Sequence, residues 1–110
     1  MKTTLLHTGQ ICVPMSDNDG ARAGIAIGHC RALAADICGG FTYWRATGGW
    51  RKPDGELQME QVYVLEVSHA SENRVNDALT ACANYLLGEF GQYAVYLKRA
   101  GEQAIILERE

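Results

Sequence analysis

Two tryptophans and three cations crowd one short stretch of this chain: Trp44, Arg45, Trp50, Arg51 and Lys52. Indole faces stack on planar rings, and a guanidinium pairs with carboxylate or phosphate oxygens, so the mixture suits a small anionic planar ligand. It equally suits a protein interface, where aromatics and Arg are enriched, with the charges merely flanking a hairpin. Residues 39 to 55 carry three positive charges against Asp54, a local +2 (3 − 1) in a chain of net charge −3. Thr42 adds a hydroxyl at the start of this stretch, and Glu60 follows it as a ligand anchor or general base if burial raises its pKa. The plainer role for Glu60 is to accept hydrogen bonds from neighbouring backbone or indole N–H groups.

The remaining groups with chemical potential are scattered. His7, His29 and His69 show neither HxH nor HxxxH spacing, and Cys12, Cys30, Cys38 and Cys82 contain no CxxC pair, so no metal site is expected. The thiols read as reduced, with Cys30 and Cys82 acting as small hydrophobes. A redox pair would require folding to bring Cys12 or Cys38 to another thiol. Asp17-Asn18-Asp19-Gly20 resembles the start of a calcium loop but lacks a glutamate at the twelfth loop position; a turn and helix cap account for it. The Gly20 to Gly28 stretch lacks phosphate-loop spacing, which removes nucleotide hydrolysis.

The elements that must position these residues follow from periodicity. Thr3 to Val13 reads as a first strand, with Leu5, His7, Ile11 and Val13 on one parity and Pro14 ending it. Ala21 to Cys38 is a helix with an apolar stripe of Ala23, Ile27, Cys30, Ala34 and Ile37, capped by Asp17 or Asp19 and stopped by Gly39-Gly40. Phe41 to Trp50 and Glu56 to Ser68 are strands around Lys52-Pro53-Asp54-Gly55, a turn in which Pro presets φ and Gly takes the left-handed position. Ser71 caps a second helix with stripe Val75, Leu79, Cys82, Leu86 and Phe90, ended by Gly88 or Gly91. Tyr93 to Leu97 and Ala104 to Leu107 complete the order as two short strands. The fold class is α+β: a ferredoxin-like β-α-β-β-α-β with an additional C-terminal strand, its antiparallel sheet carrying both helices on one face.

A three-residue turn makes paired residue numbers in the hairpin sum to 108. Phe41, Tyr43, Arg45, Tyr63, Leu65 and Val67 then share one face, and Trp44, Trp50, Glu60, Val62 and Val64 the other, with Glu60 opposite Gly48. Both faces are largely apolar, but a ferredoxin-like sheet covers only one with its own helices. A homodimer packed sheet to sheet or edge to edge is therefore expected, with Val62 and Val64 in the contact.

At Gly39-Gly40-Phe41-Thr42, Gly48-Gly49-Trp50, Asp54-Gly55 and Glu60 the chain resembles a group of small bacterial and phage proteins of uncharacterised function. Their shared pattern is GG-aromatic-T, then G-x-W, then a DG turn, then E. The likeness spans the central hairpin, about a quarter of the chain, and the flanking elements agree in order. It implies the ferredoxin-like fold and assigns no catalytic residue.

The 110 residues are 47% hydrophobic and 21% charged, enough for one domain with its own core. Net charge −3 lacks the basic excess of a phosphate-binding protein, so nucleic acid is not an expected partner. No apolar run reaches signal-peptide or membrane-span length, so a cytoplasmic protein without membrane contact is expected. No cofactor is called for. The leading expectation is a non-enzymatic binding or interaction module, of the kind phage and mobile elements use to sequester or inhibit a partner or small ligand. It needs no catalytic set. The first rival is a small dimeric α/β-barrel enzyme, in which His7, Glu60 and Tyr63 would move protons beside a closed pocket of about 300 Å³ or more. The second rival is an ACT-type regulator sensing a ligand at its dimer interface.

Overall fold

A computed structural model describes residues 1–15, 24–101 and 104–109. Five strands and two helices follow the expected order: β1 (His7–Pro14), α1 (Ile25–Cys38), β2 (Thr42–Arg51), β3 (Leu57–His69), α2 (Glu72–Leu87), β4 (Ala94–Lys98) and β5 (Ala104–Glu108). The strands form one sheet in the order β2-β3-β1-β4-β5, every pairing antiparallel. This is the ferredoxin-like α+β arrangement with an added strand on the β4 edge, and both helices lie on one face.

Alternation decides which residues meet the helices. Ile11 and Val13, Leu65 and Val67, and Val95 and Leu97 point inward and are at most 3% exposed. They meet Ile27, Cys30 and Ala34 of α1 and Val75, Leu79, Cys82 and Leu86 of α2, with Phe90 closing the end. Ser71 caps α2 as expected, its hydroxyl accepting from the Arg74 N–H at 3.3 Å. Gly39 closes α1 in the left-handed region, φ 84°, its N–H donating to the Ala35 carbonyl, a conformation open to glycine at no steric cost.

The hairpin register is the one the turn predicts: Tyr43 pairs with Leu65, Arg45 with Tyr63, Gly48 with Glu60. Lys52 N–H donates to the Glu56 carbonyl at 2.8 Å, enclosing Pro53, Asp54 and a left-handed Gly55. Most strand ends shift by one residue, and three boundaries differ for reasons the structure shows. β1 begins at His7 rather than Thr3, because its partner β3 ends at His69 and offers nothing to pair with residues 3 to 6. Described helix α1 begins at Ile25 behind Gly24, with no side-chain cap; Ala23 and the Asp17 to Gly20 segment lie outside the described residues. The ladder of β2 starts at Thr42, leaving Phe41 just outside it.

The molecule measures 53 × 28 × 27 Å because the hairpin outruns the helices. In β3 only Leu65 and Val67 are buried, and toward the turn Trp50, Leu57 and Met59 are about half exposed on opposite sides of a two-stranded arm. No helix among the described residues is long and apolar enough to cross a membrane.

Candidate functional site

On the sheet face away from the helices, the pairings align side chains into rows across the strands. One row runs Thr42, Glu66, Gln10, Lys98, Ala104 and is mainly polar. The next, one pleat further, runs Trp44, Val64, Cys12, then by continuation of the β1–β4 register Tyr96, and Ile106. That second row is an apolar stripe about 19 Å long at roughly 4.8 Å per strand. Tyr96 and Ile106 are 51% and 61% exposed, Trp44 41%. The apolar surface inferred from the hairpin is therefore present as one stripe that crosses all five strands, beside a polar row.

A cleft of about 270 Å³ opens at the polar row, between the end of α1 and the strands. It is lined by Cys38, the run Gly39 to Thr42, Glu66 and Ser68. The GG-aromatic-T motif thus forms one wall. Gln10 donates to Glu66 Oε1 at 3.0 Å, and the Thr8 and Ser68 hydroxyls share a hydrogen bond of 2.9 Å. Glu66 is the one charged side chain among the described residues of the lining, so the cleft favours a cation over an anion. Trp44 is its diagonal neighbour across the hairpin, within reach of a large side chain.

The residues singled out from sequence separate here. Thr42 lies in the cleft and Trp44 beside it. Trp50 and Glu60 lie on the same face, diagonal to each other, but six residues from Trp44 and Glu66 respectively, about 20 Å along a strand. A single small ligand cannot bridge both pairs. Arg45 projects from the opposite sheet face, paired with Tyr63, so it does not join the tryptophans. Arg51 is tied into the turn, its guanidinium donating to the Gly55 carbonyl at 2.6 Å, and Lys52 pairs with Glu56 at 3.8 Å. The expected anion-binding patch is not assembled, because neighbours in sequence alternate faces on a strand.

His7, Glu60 and Tyr63 are likewise apart. His7 pairs with His69 at one end of the sheet, Glu60 stands on the arm, and Tyr63 packs edge-on against Tyr43 on the other face, centroids 5.6 Å apart. His69 Nδ1 accepts from the Ser71 N–H at 2.8 Å, and His29 stacks on Tyr85 at 3.8 Å. Arg31 of α1 donates to the Tyr43 hydroxyl at 2.8 Å, holding the base of β2 against the helix. Val62 and Val64 lie half-buried on the bare face.

Among the thiols, Cys30 and Cys82 meet in the core, Cys82 Sγ donating to the Cys30 carbonyl at 3.7 Å. A hydrogen bond with Cys82, and then burial, holds the proton on Cys30 far more firmly than on a free thiol. Burial, with Glu60 adding repulsion, pushes Cys12 upward; burial also raises Cys38, against an opposing pull from Arg74. All four are free.

Glu66 and Ser68 were the residues sequence reasoning passed over. Their signal was present, since Glu60, Val62, Val64, Glu66 and Ser68 share a parity, but a charge at the end of an alternating strand reads as solvated until a helix end is seen beside it.

Fold and cleft together define a small ferredoxin-like protein with a recess at the margin of the sheet face that the helices leave open. No family model matches the chain, and no curated protein matches it. Solved structures do. A phage SAM lyase in complex with S-methyl-5'-thioadenosine aligns over 99% of this chain and 96% of its own, with TM-score 0.68 and 14% identity. The apo state of a phage SAM lyase aligns over 100% and 97%, with TM-score 0.67 and 14% identity. CutA from Synechococcus elongatus aligns over 99% of this chain and 80% of its own, with TM-score 0.53 and 11% identity. At these identities the likeness establishes the shared fold.

Proposed function

We propose that this protein binds a nucleoside sulfonium of the S-adenosylmethionine (SAM) type at the boundary between the polar and apolar rows, and cleaves it to release S-methyl-5'-thioadenosine. The observation that carries the reading is the cleft at Glu66, flanked by an indole, on the uncovered face of a fold matched end to end by a phage SAM lyase. The row chemistry fits the ligand: Trp44 offers a stacking face for a purine, and a carboxylate suits a cationic tail. The reaction class also fits the residues. If the ligand's own carboxylate attacks the carbon that bears sulfur, the C–O bond of a lactone forms as the C–S bond breaks with its electron pair going to sulfur; the leaving group is a neutral thioether, and the step needs no general acid or base. Orientation and exclusion of water are then the main tasks, and both are within reach of an apolar row and a cleft.

The protein works in this reading as a homodimer across the bare face, with Val62 and Val64 in the contact and the ligand at its margin. The apolar row from Trp44 to Ile106 supports that, since so continuous a stripe is rarely left to solvent. A second reading, sequestration of the same ligand without turnover, is favoured by the separation of His7, Glu60 and Tyr63.

Incubation with SAM, followed by chromatography for S-methyl-5'-thioadenosine and by equilibrium dialysis, decides among these. Retention with product formation is expected. Retention without product leaves sequestration, and neither overturns both.

A further inference from the structure

We propose that the cleft at the end of α1 is a subsite for a primary ammonium group, with Glu66 as its charge partner and the hydroxyls of Thr42 and Ser68 as its neutral acceptors. This rests on the nucleoside reading above and names the part of the ligand the cleft receives.

An ammonium presents three donors and no acceptor. The cleft presents the matching set. Glu66 Oε1 is held by Gln10 at 3.0 Å, while Oε2 has no partner among the described residues. Thr42 stands directly across the ladder from Glu66, and Ser68 follows two residues along the same face. The wall opposite is the C-terminal end of α1, where the helix dipole favours positive charge. Arg74 reaches this helix end from α2, donating to the Ile37 carbonyl at 3.3 Å, but it does not line the cleft. A divalent cation would need more charged oxygens than one carboxylate supplies. An anion would meet Glu66 with no Lys or Arg among the described residues of the lining.

Size sets the division of the ligand. About 270 Å³ is below the range that encloses a whole drug-sized molecule, so the cleft takes the ammonium of SAM, whose own carboxylate stays outside it, away from Glu66. The nucleoside then lies over the adjacent row, where Trp44 is the diagonal neighbour of Glu66.

Three ligands separate the charges: SAM has an ammonium, a carboxylate and a sulfonium, S-adenosylhomocysteine the ammonium and carboxylate without the sulfonium, and S-methyl-5'-thioadenosine none of the three. Titration calorimetry with wild type and Glu66→Gln is expected to show about tenfold weaker binding of the first two and a change within about twofold for the third. Thr42→Val should act in the same direction with a smaller loss. Equal loss for all three ligands, or for none, overturns the subsite. Loss for SAM but not S-adenosylhomocysteine also overturns it, by placing Glu66 at the sulfonium. If wild type binds none of the three, the nucleoside reading fails, and the subsite is judged by NMR titration with L-methionine methyl ester. Shifts at Thr42 and Ser68 that vanish in Glu66→Gln uphold it, and their absence in wild type overturns it.

Discussion

A Cβ placed on Gly9 would stand 2.6 Å from Leu79 Cδ1, and 3.0 Å from both Val75 Cγ1 and the Lys98 carbonyl. The central strand and α2 approach so closely here that only hydrogen fits. Contact with a backbone carbonyl leaves little room to relax. Gly9→Ala should therefore destabilise the protein by about 1–3 kcal/mol, as overpacked core substitutions do, seen as a lowered melting temperature. Gly28→Ala serves as the converse: nothing lies within 4 Å of its Cβ position inside α1, and a gain of roughly 0.5–1 kcal/mol is expected. An unchanged melting curve for Gly9→Ala would mean that α2 sits further from β1 than described.

Trp44 and Trp50 are 41% and 48% exposed, too open to be core anchors. Truncating either to Ala should cost under about 2 kcal/mol, against the 3–5 kcal/mol of a buried aromatic. Trp44→Ala should also weaken nucleoside binding, because its ring flanks the cleft. Melting curves and calorimetry on the two variants check both statements.

Light scattering on the wild type should return twice 12.0 kDa. Val62→Asp or Val64→Asp puts a charge on the bare apolar face and should return the mass of one chain. A wild type of 12.0 kDa at tens of micromolar, or an unchanged dimer in both variants, removes the proposed contact.

Thiol reactivity should follow burial. Under native conditions Cys12 and Cys38 should alkylate slowly and Cys30 and Cys82 not at all, while denaturation without reductant should release four thiols. The raised values of Cys12 and Cys38 also predict a pH effect. An unfolded thiol ionises near 9.0, whereas the folded ones hold their protons to higher pH. The unfolded chain is thus the first to gain charge, and stability present below about pH 9 should decline as pH rises through the folded values. Denaturant midpoints measured from pH 7 to 10 read this directly.

Where local chemistry decides, the sequence was legible. The Pro53-Asp54-Gly55 turn sets the hairpin register to the residue, and the α2 stripe from Val75 to Phe90 is buried at every position. What stayed hidden depends on distant partners. The start of β1 is set by where β3 ends, and Gly9 looks like a weak point in a strand until α2 lies on it. The grouping of Arg45 with Trp44 ignored strand alternation, an error the register itself could have exposed. The cleft at Glu66 forms only where the end of α1 meets the sheet, a juxtaposition of residues 38 and 66 that no local pattern encodes.

Among the described residues, the arm beyond Val62 rests on its own ladder, without helix or third strand, and an isolated hairpin is marginal in water. Its amides between Thr47 and Gln61 should open by fraying alone, exchanging hydrogen for deuterium well before those of β1 and α2. Association that covers Trp50, Leu57 or Met59 would convert this loose extremity into part of the cooperative unit, so its exchange rate would become a reporter of protein concentration.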